Sequence, residues 1–249
     1  TLAKEDFESS LVRPNAVYLF GPFTVIDRNG RDITHLFSSR LRQVFIYILL
    51  HSTHNGVLSA SLNEVFWPDK PDDKVKNLKG VTINQIRKNL AELDGVELVH
   101  DKGYFRLVFT DCYCDYFRFR TLKNAEEVEN ELGILLMRGK FLDGMDAGMD
   151  HFKQKVEEFL SSFLPLEIER LYQQHKYDAV IHFCNVLFRV DPVNELALAY
   201  GMHALNHTGS SQEAILQYSL FVREYRQMMN EEYSTSYAEL MSKNPPFHR

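Results

Sequence analysis

The side chains best suited to specific recognition lie in one stretch, Lys74–Leu93, which reads KVKNLKGVTINQIRKNLAEL. Wound at about 100° per residue, this stretch brings amides and a lysine onto one side of a helix. The residues on that side are Asn77, Gly80, Val81, Asn84 and Lys88. Asparagine can bond the two-point edge of adenine, lysine can reach guanine or phosphate, and valine can touch a thymine methyl. The face therefore has the chemistry of a helix that enters a DNA major groove.

The charge of this stretch separates two interpretations of it. Between Lys74 and Ala91 every charged residue is basic, namely Lys74, Lys76, Lys79, Arg87 and Lys88. A solvated helical face usually mixes charges of both signs, and such a face is the alternative interpretation. Gly80 costs about 1 kcal/mol relative to alanine in mid-helix, which is easier to explain if a ligand approaches the backbone closely.

The opposite side of the same helix is apolar and is predicted to be buried. It carries Val75, Ile83, Ile86, Leu90 and Leu93. Lys79 interrupts this stripe, so either its amino group reaches out of the core along its aliphatic stem or the helix is irregular near its start.

Length and composition indicate a soluble globular chain of one large or two ordinary domains. It has 249 residues, 45% hydrophobic and 25% charged. The longest apolar run, Val44–Leu50, is too short to span a bilayer. The three cysteines lack paired-ligand spacing, which predicts neither disulfides nor a zinc site. We therefore expect a cytoplasmic protein. Because the chain starts at Thr1 without a methionine, we also consider that it is the cytosolic part of a longer, membrane-anchored protein.

The net charge of −6 is unevenly distributed along the chain. Residues 1–110 carry 14 Lys/Arg and 13 Asp/Glu, a net charge of +1, whereas residues 111–249 carry 14 and 21, a net charge of −7. The acidity thus belongs to the second half, and the field around the basic stretch stays positive.

The elements before and after the basic stretch predict a helix-turn-helix with a wing. Short strands with an Asn29-Gly30 hairpin come first, followed by helices over Phe37–Ser52 and Leu58–Trp67. Ser59 and Ser61 are alternative caps of the second of these helices. A hairpin of residues 96–99 and 104–109 follows the basic helix. Arg40 at the entrance of the first helix, and Lys102 at the hairpin tip, can hold phosphate or be plain surface charges.

The second half is helical and contains a repeat. Helices are expected over residues 126–137, 149–164 and 166–175, with a break or kink at Pro165. Tyr177–Ile181 aligns with Gln212–Leu216 at a spacing of 35 residues, with small residues where helices cross. This period is typical of tetratricopeptide repeats, which are stacked helix pairs.

Residues 17–109 resemble the winged helix-turn-helix of two-component response regulators, and more closely that of Streptomyces antibiotic regulatory proteins. The motifs that carry the resemblance are LFGPFTV, RLRQVFIYILL, LNEVFWPD, TINQIRKNL and GVELVHDKGYFRL. Residues 115–240 resemble the bacterial transcriptional activator domain that follows it. The chain departs from response regulators in having Asn84-Gln85 where two arginines are frequent, and Lys79 where an apolar residue is usual.

The resemblance implies a recognition helix in the major groove and a wing on the backbone. Together with the basic residues at the start of the first helix and of the basic stretch, it gives the predicted DNA-binding set: Arg40, Lys74, Asn77, Thr82, Asn84, Gln85, Arg87, Lys88 and Lys102. The fold class is mainly α, with an α+β winged helix-turn-helix and an all-α tetratricopeptide-like domain. The predicted divisions are a lead-in over residues 1–14, a DNA-binding domain over 15–110 and an interaction domain over 111–249.

The predicted function is that of a sequence-specific transcriptional regulator, not an enzyme, because no phosphate loop, catalytic triad signature or metal-spaced cluster appears. We expect no cofactor and no small-molecule substrate. The expected partners are double-stranded DNA, RNA polymerase or a sensor protein, and a second copy of the chain. The alternatives are a repeat-based scaffold in a signalling complex and the cytosolic effector end of a membrane-anchored sensor.

Overall fold

The chain divides into two units in a computed structural model that describes residues 13–52, 55–122, 135, 138–145 and 148–245. One unit comprises Thr1–Leu122 and Phe141–Lys153, and the other comprises Lys123–Lys140 and Gln154–Arg249. The expected lead-in lies outside the described residues except for its last two, and so does the expected helix over residues 126–137 except for residue 135. The boundary at residue 110 stays a prediction.

The first unit opens with a three-stranded sheet. Its central strand, β1 (Ala16–Tyr18), pairs antiparallel with β2 (Thr24–Ile26) and parallel with β6 (Tyr113–Cys114). The order of the strands is therefore β2-β1-β6. Helix α4 (Asp115–Thr121) follows β6 directly. Asp115, the first residue of α4, is buried, and its carboxylate accepts hydrogen bonds from the amides of Leu19 and Phe20. The Asp115 carboxylate thereby ties the start of α4 to the residues that follow β1.

The expected Asn29-Gly30 turn is present, but the strand expected after it is only a single bridge between Ile26 and Asp32. Asp27, which is fully buried, organises the turn by accepting hydrogen bonds from the amides of Asn29 and Arg31, both at 2.8 Å. The Arg31 side chain adds a hydrogen bond from Nε to Asp27 Oδ2 at 2.7 Å. The strand stops early because a 3-10 helix begins at residue 34.

Three helices follow in the predicted order. They are α1 (Ser39–His51), α2 (Ser59–Phe66) and α3 (Asp72–Leu90). Helix α1 is nearly engulfed, since seven of its apolar residues are buried. Neither of the two expected serine caps forms on α2, because Leu58 occupies the cap position and makes no side-chain hydrogen bond there.

The expected wing is a hairpin of β4 (Val96–Asp101) and β5 (Tyr104–Phe109), with β3 (Val57–Leu58) on the other side of β5. Lys102 and Gly103 form its two-residue turn and have φ angles of 47° and 85°. Positive φ at both central residues defines a type I′ turn, whose twist matches that of the strands. The wing tip is therefore held in one backbone conformation.

The remaining described helices are α5 (Asp150–Gln173), α6 (Tyr177–Val190), α7 (Glu195–His207), α8 (Ser211–Met229) and α9 (Tyr237–Ser242). Of the break or kink predicted at Pro165, the break does not occur, because α5 continues through this residue. A proline in a helix forfeits one backbone hydrogen bond. Burial of Leu164 and Ile168 on either side of it, on the stripe that also buries Leu160 and Leu171, offsets that cost.

Helix α7 packs between α6 and α8 in the second unit. Its core contains Leu198, Met202 and Leu205 of α7 and Ala214 and Phe221 of α8. Ala214 is fully buried, as expected for a small residue where helices cross closely. The prediction of a mainly α chain with a short β-containing N-terminal region is thus confirmed. Among the described residues no helix has the length and apolar character needed to cross a bilayer.

The Asp27 turn predicts a specific acid sensitivity. Burial opposes the charge of this carboxylate, but hydrogen bonds from Arg31 and Asn29 outweigh it and lower its pKa. The stability it contributes is therefore present above the ordinary aspartate pKa of about 3.9 and is lost as the pH falls through the lowered folded-state pKa. Asp27→Asn should lower the free energy of unfolding at pH 7 and flatten its decline below about pH 4.

Denaturant titrations across a pH series measure this effect. Asp32→Asn is the matched control, since Asp32 is exposed and an asparagine oxygen can still accept the bond from the Thr34 amide. An acid transition that is equally steep in Asp27→Asn and in the wild type would contradict the role of Asp27.

Candidate nucleic-acid interface

Helix α3 has two distinct faces, as its residue spacing predicts. The side that carries Asn77, Gly80, Asn84 and Lys88 is exposed, and Val81 on it is 71% exposed. Val75, Ile83, Ile86 and Leu90 are buried on the other side, which packs against α1 and β4. Leu93 is also buried but lies just beyond the end of the helix. A largely polar, basic surface therefore runs along the outer side of α3, with Gly80 and Val81 near its middle.

The ends of α3 carry charges that suit its dipole. Asp72 and Asp73 occupy the first turn, and Arg87 and Lys88 occupy the last. Acidic groups are stabilising near a helix N-terminus and basic groups near its C-terminus. The helix thus begins two residues earlier than predicted, and its acidic residues are confined to the end that precedes the basic face.

Lys79 lies on the apolar stripe without disturbing the helix. Its side chain is half-buried, and Nζ donates a hydrogen bond to Ser59 Oγ at 2.6 Å. Burial lowers the pKa of its amino group. Since α3 is a continuous helix, the expectation of an irregular start is wrong, and Lys79 links α3 to the first residue of α2.

The predicted DNA-binding residues on α3 differ in how firmly they are held. Among the described residues, Asn84 and Lys88 are exposed and hydrogen-bond to no neighbour. Lys74 and Asn77 are likewise exposed. The Thr82 hydroxyl donates to the Leu78 carbonyl at 2.8 Å within the helix.

Gln85 and Arg87 are tied to neighbouring groups although both are exposed. Gln85 Nε2 donates to Asn89 Oδ1 at 2.9 Å. Arg87 donates from Nε and from Nη2 to the Leu98 carbonyl of β4, both at 3.4 Å. Arg87 therefore joins the exposed helix to the wing, and Gln85 is joined to the buried part of its own helix.

Asn89 is the residue that sequence reasoning missed. It is only 3% exposed, and its Nδ2 donates to the Leu36 carbonyl at 2.8 Å. The available signal was an asparagine at helical spacing within the apolar stripe, four residues after Gln85. Such a position requires a partner, because a buried amide without hydrogen bonds costs about 1–3 kcal/mol.

Arg40 and Lys102 lie on other elements of the same unit. The Arg40 guanidinium donates to the Phe66 carbonyl at the end of α2 and lies over two rings, 5.3 Å from the centre of Phe66 and 5.8 Å from that of Trp67. It thus joins the start of α1 to the end of α2 while remaining exposed. Lys102 is exposed at the wing tip.

The described residues of both units hold neither a metal-binding cluster nor a reactive thiol. They contain no group of three or more His, Cys, Asp or Glu that could hold a metal ion. Burial raises the pKa of the Cys112 thiol to about 12 and raises those of Cys114 and Cys184 as well. These thiols are therefore protonated at neutral pH and poor nucleophiles.

Comparison with known proteins yields a likeness of fold. No protein-family model and no curated protein matches the chain. A solved structure of EmbR from Mycobacterium tuberculosis, in complex with a low-affinity phosphopeptide, superposes with a TM-score of 0.59 at 17% sequence identity. The match covers 91% of this chain and 63% of that one, so the chain spans less than two-thirds of the length of EmbR. At this identity the likeness concerns the fold alone.

Gly80 provides a test of the exposed face. A Cβ at this position would meet no atom within 4 Å outside the backbone of its own helix. Gly80→Ala should therefore raise the free energy of unfolding by about 1 kcal/mol, the difference in helix propensity.

Gly103→Ala is the contrasting variant: it too has room for a Cβ, but its positive φ should make alanine destabilising, by about 1 kcal/mol or more. Denaturant unfolding of both variants measures this, and a destabilised Gly80→Ala would mean that the face is covered.

Proposed function

We propose that the chain is a sequence-specific DNA-binding transcriptional regulator, of the kind that its resemblance to Streptomyces antibiotic regulatory proteins implies. The observation that carries this proposal is the outer face of α3, where amide and cationic side chains are exposed over the length of the helix. A protruding helix with such a face fits a major groove about 12 Å wide. The likeness to the fold of EmbR supports the class but not the target sequence.

The proposed roles follow from the location of each side chain. Asn77, Asn84 and Lys88 face outward from α3 and contact base edges, together with Gln85. Lys74, Thr82 and Arg87 lie beside them and contact the sugar-phosphate backbone. Arg40 at the start of α1 and Lys102 on the wing hold further phosphates. Backbone contacts fix the register of the protein on the duplex, and base contacts provide sequence preference.

The helical unit contributes protein contacts in this proposal. Helix α8 leaves Ile215, Leu216 and Leu220 exposed, whereas Ala214 and Phe221 of the same helix are buried. The partners we propose are RNA polymerase, a sensor protein or a second copy of the chain. The same exposed apolar residues favour a second candidate function, a repeat-based scaffold in a signalling complex. A pull-down that requires α6–α8 but tolerates loss of Lys74, Arg87 and Lys88 would favour the scaffold.

Asn84 provides the first test of base reading. Asn84→Ala should lower the affinity for a selected site by about 1–3 kcal/mol, the value of one bidentate contact, and should relax preference at one base pair. The measurement is fluorescence anisotropy on the selected duplex and on its single-base variants, at fixed salt. Equal weakening on every sequence would contradict the assignment of Asn84 to base reading.

Lys102 tests the phosphate contact of the wing. Asparagine tolerates positive φ, so Lys102→Asn removes the charge and keeps the type I′ turn. We expect the slope of log affinity against log salt to become shallower by about 1, with base preference unchanged. Glu97→Gln on β4, which neutralises an exposed acidic residue, is the control for a general change of charge. An unchanged salt slope in Lys102→Asn would show that the wing tip does not contact the duplex.

A further inference from the structure

The orientation of the Gln85 amide is determined by a main-chain carbonyl outside its helix. Leu36 belongs to the 3-10 helix that precedes α1, 53 residues before Asn89. Its carbonyl oxygen can only accept, so Asn89 must turn Nδ2 toward it, and the two atoms are 2.8 Å apart. Because Asn89 is buried, its amide has no freedom to exchange the two ends.

The fixed orientation of the Asn89 amide also fixes the orientation of the Gln85 amide. With Nδ2 directed at Leu36, Asn89 presents Oδ1 to its neighbour one turn earlier. Gln85 must therefore donate, and its Nε2 lies 2.9 Å from Asn89 Oδ1. This leaves Gln85 Oε1 and the second N–H of Nε2 without a partner among the described residues, on a side chain that remains exposed. An exposed amide is thus held with a known acceptor and a known donor.

This arrangement distinguishes Gln85 from the adjacent Asn84. Asn84 is exposed and has no described hydrogen-bond partner, so it loses rotamer freedom when it binds. Gln85 has already lost part of that freedom on folding, because its amide is anchored through Asn89 to a different element. A contact made by a pre-organised side chain is stronger than the same contact made by a mobile one.

From this geometry we propose that Asn89 is a positioning residue that holds Gln85 to read adenine. This rests on the proposed function. The free Oε1 accepts from the adenine N6 amino group, and the free N–H donates to N7, the two-point pairing of a carboxamide with adenine. Guanine presents acceptors at both O6 and N7, so Oε1 would face another acceptor there. Asn89 does not touch the base.

A double-mutant cycle tests this assignment. A site is selected from random duplexes with the wild-type protein, and anisotropy then compares that site with a version in which one adenine is replaced by guanine. At the position read by Gln85 the wild type should prefer adenine by about tenfold or more. Gln85→Ala should abolish that ratio, Asn89→Ala should reduce it about threefold or more at the same position, and the double variant should equal Gln85→Ala. Affinity for non-specific DNA and the salt slope should remain within about twofold of wild type, because neither variant alters charge.

A second variant and a second measurement cover the case in which Asn89→Ala fails to fold. Gln85→Asn keeps an amide and leaves the Asn89–Leu36 bond intact, but it is one methylene too short to reach Asn89 and the base together. We expect it to lose the adenine preference as fully as Gln85→Ala. In the unbound wild type, the Gln85 side-chain amide should have NMR chemical shifts that differ from those of other exposed glutamines, and its proton bonded to Asn89 should exchange more slowly with water.

The outcomes separate this inference from the function on which it rests. If the wild type selects no sequence, the proposed function fails. If it selects a site, the inference is overturned by any of three results. These are a preference at the Gln85 position for a base other than adenine, additive effects in the cycle, or Gln85 amide shifts and proton exchange equal to those of other exposed glutamines.

Discussion

The division of α3 into a buried and an exposed side is the constraint on which the rest of the first unit depends. Burial of Ile83, Ile86 and Leu90 contributes about 1.5–3 kcal/mol per side chain and fixes the rotation of the helix about its axis. Because the rotation is fixed, polar residues about half a turn away from this stripe, such as Asn84 and Lys88, face outward. The wing and α1 therefore do more than fill a core: they determine which side chains the helix presents to a partner.

Hydrogen bonds along the edge of that buried stripe also hold α3 in its position. Lys79 bonds Ser59 on α2, Arg87 bonds the Leu98 carbonyl on the wing, and Asn89 bonds the Leu36 carbonyl before α1. Each link joins α3 to a different element, so sliding or rotation of the helix would break several hydrogen bonds at once. A buried polar group that loses its partner costs about 1–3 kcal/mol, which makes these links specific for one docking of α3.

The helices of the second unit differ in how much of their surface is buried. Helix α7 is enclosed between α6 and α8, whereas α8 keeps apolar side chains on its outer side. Stacked helices of this kind bury their faces against their neighbours, and an outer helix keeps one side uncovered. One unit thus presents a polar helix face that is held by several elements, and the other presents an incompletely buried helix.

The local pattern of residues was sufficient for the two faces of α3, the turn of the wing and the mainly α second half, because hydrophobic periodicity and glycine placement act within a few residues. The sequence was not sufficient for the partners of Asn89, Lys79 and Arg40, since these lie on elements 20 to 53 residues away in the chain. It also left open a break or a kink at Pro165, where the helix continues because burial on both sides outweighs the local cost of proline. Only tertiary packing decided which side chains of α3 hydrogen-bond to other elements and which do not, because hydrogen bonds between distant elements leave no periodic signal.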